Sequence, residues 1–120
     1  IMARASRGEI KIEEILTKAG LPFKMEYEFP DLISSSGRPL RFDFAVFDDD
    51  GNIDFLIEFQ GVQHYEAVKQ FGGKKGLFRQ KYNDNQKRIY CGRNDIPLVA
   101  IPYWDENILD LDYILERAGY

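Results

Sequence analysis

Apolar and polar residues alternate along this chain in runs that predict seven elements. Ile12, Ile15, Leu16 and Ala19 recur at helical spacing behind Ser6-Arg7-Gly8-Glu9. That tetrapeptide has the spacing of a capping box, with Ser6 as N-cap and Glu9 reaching back. A helix over about 7–19 is predicted, with Gly20 as its stop. Phe23, Met25, Tyr27 and Phe29 alternate with Lys24, Glu26 and Glu28, as in a half-buried strand that Pro30 ends. Ser34-Ser35-Ser36-Gly37 reads as a loop.

A second strand spans Arg41 to Phe47, with Phe42, Phe44 and Val46 on one face and Arg41, Asp43 and Ala45 on the other. The turn Asp48-Asp49-Asp50-Gly51-Asn52 leads back into a third strand. There Ile53, Phe55, Ile57 and Phe59 oppose Asp54, Leu56, Glu58 and Gln60. Phe71-Gly72-Gly73-Lys74-Lys75-Gly76 reads as a flexible charged loop, followed by a helix over about 77–91 that stops at Gly92. Pro97 to Pro102 is an uncharged strand suited to a buried position. Asp105 is placed to cap a last helix containing Ile108, Leu111, Ile114 and Leu115.

The hairpin connections make the first three strands antiparallel, and the crossover helix brings the fourth in parallel. The predicted fold is α/β (α+β), a mixed sheet flanked by helices in the order α-β-β-β-α-β-α. At 120 residues the chain fits one domain, residues 1–120. Ile1 ahead of Met2 reads as a remnant, and the natural protein is expected to extend further.

Composition narrows the function. With 44% hydrophobic and 30% charged residues the chain is an ordinary globular one. No run approaches the ~20 apolar residues of a membrane span, and no signal peptide opens the chain. Cys91 stands alone, which suits a reducing cytoplasm. One Cys and one His exclude a closed structural zinc site. The net charge of −4 argues mildly against nucleic acid. Its distribution argues the other way: acids crowd 43–58 and 105–116, while Lys69, Lys74, Lys75, Arg79, Lys81, Lys87, Arg88 and Arg93 fall together. Such a run is otherwise a solvated helix face.

Candidate chemistry gathers on the second and third strands. Asp43, Glu58 and Gln60 fall on adjacent strands of one hairpin, and converging oxygen ligands suit a hard cation such as Mg²⁺. His64 follows just past Gly61, where its near-neutral titration suits acid–base work. Asp84, Lys87, Arg88 and Cys91 share one helical stripe, from which Asp84 would orient His64 and Lys87 or Arg88 would meet phosphate. Ordinary readings stand beside these: a solvated sheet face for Glu58, a structural His64, an exposed Asp84–Lys pair. An EF-hand starting at Asp48 fails, because Ile53 and Phe59 stand where it needs Gly and Glu. Neither a phosphate-cradling P-loop nor a nucleophile elbow is present.

Arg41-Phe42-Asp43-Phe44, then Ile57-Glu58-Phe59-Gln60-Gly61-Val62-Gln63-His64-Tyr65, then Asp84-x-x-Lys87 and Ile96-Pro97-Leu98 through Tyr103 resemble the PD-(D/E)xK nuclease superfamily. Asp43 and Glu58-x-Gln60 match its Asp and Glu-x-Lys, with Gln60 in place of Lys. The pattern is most similar to the branch of very-short-patch repair and phage-type homing endonucleases with a Glu-Asp-x-His-Asp site, which Glu9, Asp43, Gln60 (or Gln63), His64 and Asp84 would fill. Repair members carry a structural zinc that this chain cannot hold, so the homing or phage-type side is favoured.

The resemblance implies a restriction-endonuclease-like fold and a Mg²⁺-dependent endonuclease acting on double-stranded DNA, with Mn²⁺ able to substitute. Asp43, with Glu58 or Gln60, would hold the metal, and His64 would handle the water proton with help from Asp84 and Glu9. Lys74, Lys75, Lys87 and Arg88 would contact phosphates. Glu9 also has the plain reading of a helix cap. The acidic balance implies weak, unselective binding by this segment alone, so specificity would need a homodimer or a further DNA-binding segment. The rival readings are a non-catalytic nucleic-acid-binding or interaction module on a decayed nuclease fold, and a structural protein with an acidic sheet face.

Overall fold

Helix α1, Arg7–Lys18, begins where Ser6 Oγ accepts the Glu9 N–H at 3.2 Å. Glu9 returns its carboxylate to the Ser6 hydroxyl rather than to the Ser6 main chain, at 3.1 Å. Ile12 and Leu16 are fully buried one turn apart. At Gly8 the helix comes so close to the sheet that an added Cβ would stand 2.3 Å from the Phe59 ring. The missing side chain therefore seats the first turn of α1, and with it Glu9, against β3. The computed structural model describes residues 6–120.

Strands β1 (Phe23–Ile33), β2 (Pro39–Phe47), β3 (Ile53–Gln60) and β4 (Leu98–Pro102) form one mixed sheet in the order β1-β2-β3-β4. β1–β2 and β2–β3 are antiparallel hairpins, and β4 joins β3 in parallel. Helix α2, Gly73–Arg93, makes the crossover, and α3, Leu111–Arg117, closes the chain. The expected α-β-β-β-α-β-α order is the observed one. Among the described residues no helix is long and apolar enough to cross a membrane.

Two cores cover the two faces of the sheet. Phe44, Val46, Phe55, Ile57, Val99 and Ile101 pack with Ile12 and Leu16 of α1 and Ile114 of α3. Leu40, Phe42, Ala45 and Leu56 pack on the other side with Leu32 and Cys91 of α2. Phe42 and Phe44 therefore lie in different cores, against the expectation that they share a face. β1 changes over in the same way, since Phe23 packs with the first core and Tyr27 and Phe29 with the second. The register explains why: Met25 pairs with Phe44 and Tyr27 with Phe42, so Glu26 stands opposite Asp43. Glu26 has φ +51°, a left-handed conformation that breaks the pleat. Both strands thus change faces at one rung, and Asp43 is on it.

Three other expectations are corrected. β1 runs through Pro30 instead of ending there. It is an edge strand, where a missing N–H is tolerated, and its register shifts between Glu28 and Ile33. α2 begins at Gly73, so Lys74, Lys75 and Gly76 are its first turn rather than a loop. Gly72 (φ +90°) and Gly73 (φ +61°) make the sharp entry, and a Cβ on Gly76 would meet the Phe71 carbonyl oxygen at 1.8 Å. Finally, Asp110 caps α3 by accepting the Tyr113 N–H at 2.7 Å. Asp105 lies in a 3₁₀ turn, Tyr103–Ile108, and accepts the Tyr113 hydroxyl at 2.6 Å.

Candidate functional site

The β2–β3 ladder runs from Phe47 to the pair Phe44–Ile57. Beyond it, where the strands have turned over, the Asp43 side chain takes the place of a main-chain acceptor. Its Oδ2 accepts the Phe59 N–H at 2.7 Å, which pins the carboxylate between the two strands. Burial raises the Asp43 pKa, and the nearby Glu58 carboxylate raises it further. The Phe59 N–H and Lys87 oppose them, Glu9 adds to them, and the carboxyl rests at about 7 instead of 3.8. Asp43, Glu58 and Glu9 thus form one electrostatic neighbourhood from three separate elements.

Glu58 has the parity of Leu56 and faces α2. It is only 5% exposed, and Lys87 Nζ, also buried, donates to its Oε1 at 2.9 Å. Burial raises the Glu58 pKa, and Lys87 pulls against that shift. The ammonium also lies over the Phe42 ring, 5.3 Å from its centre. The change of face that frees Asp43 thus also turns Phe42 toward α2 as a seat for Lys87. Lys87 was expected at a phosphate; it is instead the internal cation of the carboxylate cluster, because the stripe it shares with buried Cys91 faces the sheet.

His64 ends a 3₁₀ turn, Val62–His64, that follows β3 directly and folds back toward α2. Its Nδ1 lies 2.8 Å from Asp84 Oδ2. With the carboxylate as acceptor, Nδ1–H donates, and in the neutral ring Nε2 is left as the acceptor. Gln80 Nε2 donates to the other Asp84 oxygen at 3.1 Å, holding the carboxylate from both sides. The two pairs are neighbours, since both His64 and Asp84 act on Glu58. Gln60 Oε1 accepts the Tyr65 hydroxyl at 2.6 Å and lines a hollow with Lys81, Asp84 and Arg88.

The structure therefore makes Glu9 and Glu58 electrostatic neighbours of Asp43, pairs His64 with Asp84, and sets Gln60 and Asp84 around one hollow. Arg88 is exposed beside them and donates to Asn85. Lys74 and Lys75 are apart from the cluster, on an exposed stretch of α2. Sequence reasoning missed Lys87 as the internal cation and Gln80 as the second holder of Asp84. The i,i+4 relation of Lys87 to the apolar Cys91 was the signal for the first.

Among the described residues, no three His, Cys, Asp or Glu side chains are grouped so as to hold a metal ion. Asp43 and Glu58 alone make a two-carboxylate set in which burial first, and the Glu58 charge second, keep a proton on Asp43 up to about 7. Two carboxylates are the number Mg²⁺ usually takes from a protein, the rest of its shell being water and substrate phosphate.

The chain is similar to two curated viral proteins. "Uncharacterized protein 307L" of Invertebrate iridescent virus 6 is 30% identical over 96 residues, covering 76% of this chain and 49% of the relative. "Uncharacterized protein 094L" of Frog virus 3 is 43% identical over 54 residues, covering 43% of this chain and 35% of the relative. The chain thus spans half or less of the length of these relatives. No model of a known protein family matches the sequence, and no solved structure matches the fold.

Proposed function

We propose that this domain is a metal-dependent DNA endonuclease of the homing or phage type, acting in the cytoplasm on double-stranded DNA. The observation that carries the reading is the pair Asp43–Glu58, a half-buried carboxylate and a buried one close enough to act on it, beside a His–Asp pair. Asp43 and Glu58 would hold Mg²⁺, or Mn²⁺ in its place. When bound, the ion polarises a phosphate and lowers the pKa of a water. His64 Nε2 accepts the proton of the attacking water, and Asp84 keeps the ring in the tautomer that leaves Nε2 free. Lys87 supplies from α2 the cation that Gln60 does not supply from β3, and it opposes the rise in the Glu58 pKa that burial causes. Glu9 adds negative charge beside Asp43 from the first turn of α1. Lys74, Lys75 and Arg88 contact phosphates, with a homodimer or a further DNA-binding segment adding specificity.

The purified domain should nick plasmid DNA in Mg²⁺ and not in EDTA. His64→Ala should slow the reaction by about 10²–10⁴-fold, the usual worth of a general base. Unchanged cleavage in His64→Ala and Asp43→Ala would remove the site. The Lys87–Glu58 pair favours a second reading, a binding module on a decayed nuclease fold, because it already neutralises one of the two metal-facing carboxylates. That reading predicts DNA binding without any metal-dependent cleavage.

A further inference from the structure

The first three turns of α2 carry a surface of which the catalytic reading uses only Lys74 and Lys75. Lys74, Lys75, Phe78, Arg79 and Tyr82, with Ser35 from the β1–β2 turn, line a groove of about 570 Å³. Phe78 is 76% exposed and Tyr82 47%, and both project from the helix beside cations. Lys74, Phe78 and Tyr82 follow at four-residue spacing and so form one ridge, with Lys75 and Arg79 alongside.

Charge selects among the partners such a ridge could take. From Ala67 to Asn83 the chain has five cations and no acid, although its net charge is −4. An apolar protein partner would not need this local reversal of sign, and a duplex offers no free base faces to an aromatic ridge. A polyanion with exposed flat rings matches both features, since aromatic side chains stack on unpaired bases while Lys and Arg follow the phosphates. Phe78 lies six residues before Asp84, roughly 9 Å along the helix axis, so a strand on the ridge leads toward the His64–Asp84 pair.

We propose that the groove holds an unpaired nucleic-acid strand, with bases stacked on Phe78 and Tyr82 and phosphates on Lys74, Lys75 and Arg79. This extends the nuclease reading by naming unpaired DNA, such as a frayed or displaced strand, as what the domain draws in. It rests on that reading only for its consequence in cleavage, not for the binding itself.

The test is fluorescence anisotropy of the full 120-residue chain in EDTA, with a labelled oligothymidylate and a labelled duplex of the same length. Phe78→Ala combined with Tyr82→Ala should weaken single-strand binding by about tenfold or more and leave duplex binding within about twofold. Both side chains are exposed, so the variant should keep the parent's circular dichroism and melting temperature. Lys74→Gln with Lys75→Gln should weaken both ligands and flatten the salt dependence. Equal single-strand affinity in the aromatic variant, or an equal loss for both ligands, overturns the proposal. Competition by polyglutamate or by anionic vesicles that exceeds competition by oligothymidylate also overturns it, in favour of an acidic protein or a membrane. Because EDTA prevents cleavage, binding without nicking in Mg²⁺ counts against the nuclease reading alone, and nicking without this binding counts against the groove alone.

Discussion

The two faces of the sheet are made by the same four strands and differ in what they bury. On the α1–α3 face the fully buried side chains are Phe44, Val46, Phe55, Ile57, Val99 and Ile101, all apolar. On the α2 face Leu40, Phe42 and Leu56 give way, toward the end of β3, to buried Glu58, Lys87 and His64. The first face shows what the fold requires, which is apolar area removed from water. The second face has that option and departs from it. A buried ion pair is often no more stabilising than apolar residues of the same shape. Glu58 and Lys87 are therefore poorly explained by stability, and the proposed function gives their place beside Asp43 and His64 a use.

The contrast can be broken most forcefully at Glu58. Glu58→Ala should leave Lys87 buried without a partner and cost about 3–5 kcal/mol in denaturant unfolding. Glu58→Leu together with Lys87→Met should restore most of that stability while giving no cleavage. If the double variant were as unstable as the single one, the pair would be structural after all.

A smaller effect is expected at Asp43, and it depends on pH. The folded carboxyl holds its proton up to about 7, whereas the unfolded chain releases it near 3.8. Its contribution is therefore fully present below 3.8 and is lost as pH rises through about 7. Asp43→Asn keeps an oxygen for the Phe59 N–H and removes the titration. Above neutrality it should be more stable than the parent by about 2–4 kcal/mol. Equal pH profiles in thermal unfolding would show that Asp43 is not held protonated.

Asp84→Asn should alter stability by only about 1 kcal/mol, because Asp84 is partly exposed. Nicking should nevertheless fall by about 10–100-fold, as when other orienting partners are removed. Arg41, with Glu26 and Glu28 on the exposed outer strand, provides the lower limit. Arg41→Ala should change stability by less than about 1 kcal/mol and leave nicking alone.

The element order was legible in the sequence because period two and period 3.6 are strongly marked in Phe23–Phe29, Ile53–Gln60 and Ile12–Ala19. The change of face at the Glu26–Asp43 rung was not, since a positive φ at a non-glycine residue leaves the alternation of residue types intact. Strand parity still picked Asp43, although the pleat it assumed does not continue through that residue. The closeness of His64 to Asp84 could be anticipated from the turn after Gly61 and the helix that follows. The burial of Lys87 could not be read from its charge, because a cation in a basic run looks solvated until the facing carboxylate is placed. Gly76 was read as loop, because its role is to admit the Phe71 carbonyl, a contact invisible in composition.

Asp43 and Glu58 are proposed to take up a divalent cation together. Titration calorimetry with Mn²⁺ near pH 6.5, in two buffers of different ionisation heat, tests it most directly. Saturable binding that releases a proton from Asp43 to the buffer is expected, with both the binding and the proton lost in Asp43→Asn. Binding that is absent in the parent, or unchanged in Asp43→Asn, would contradict it.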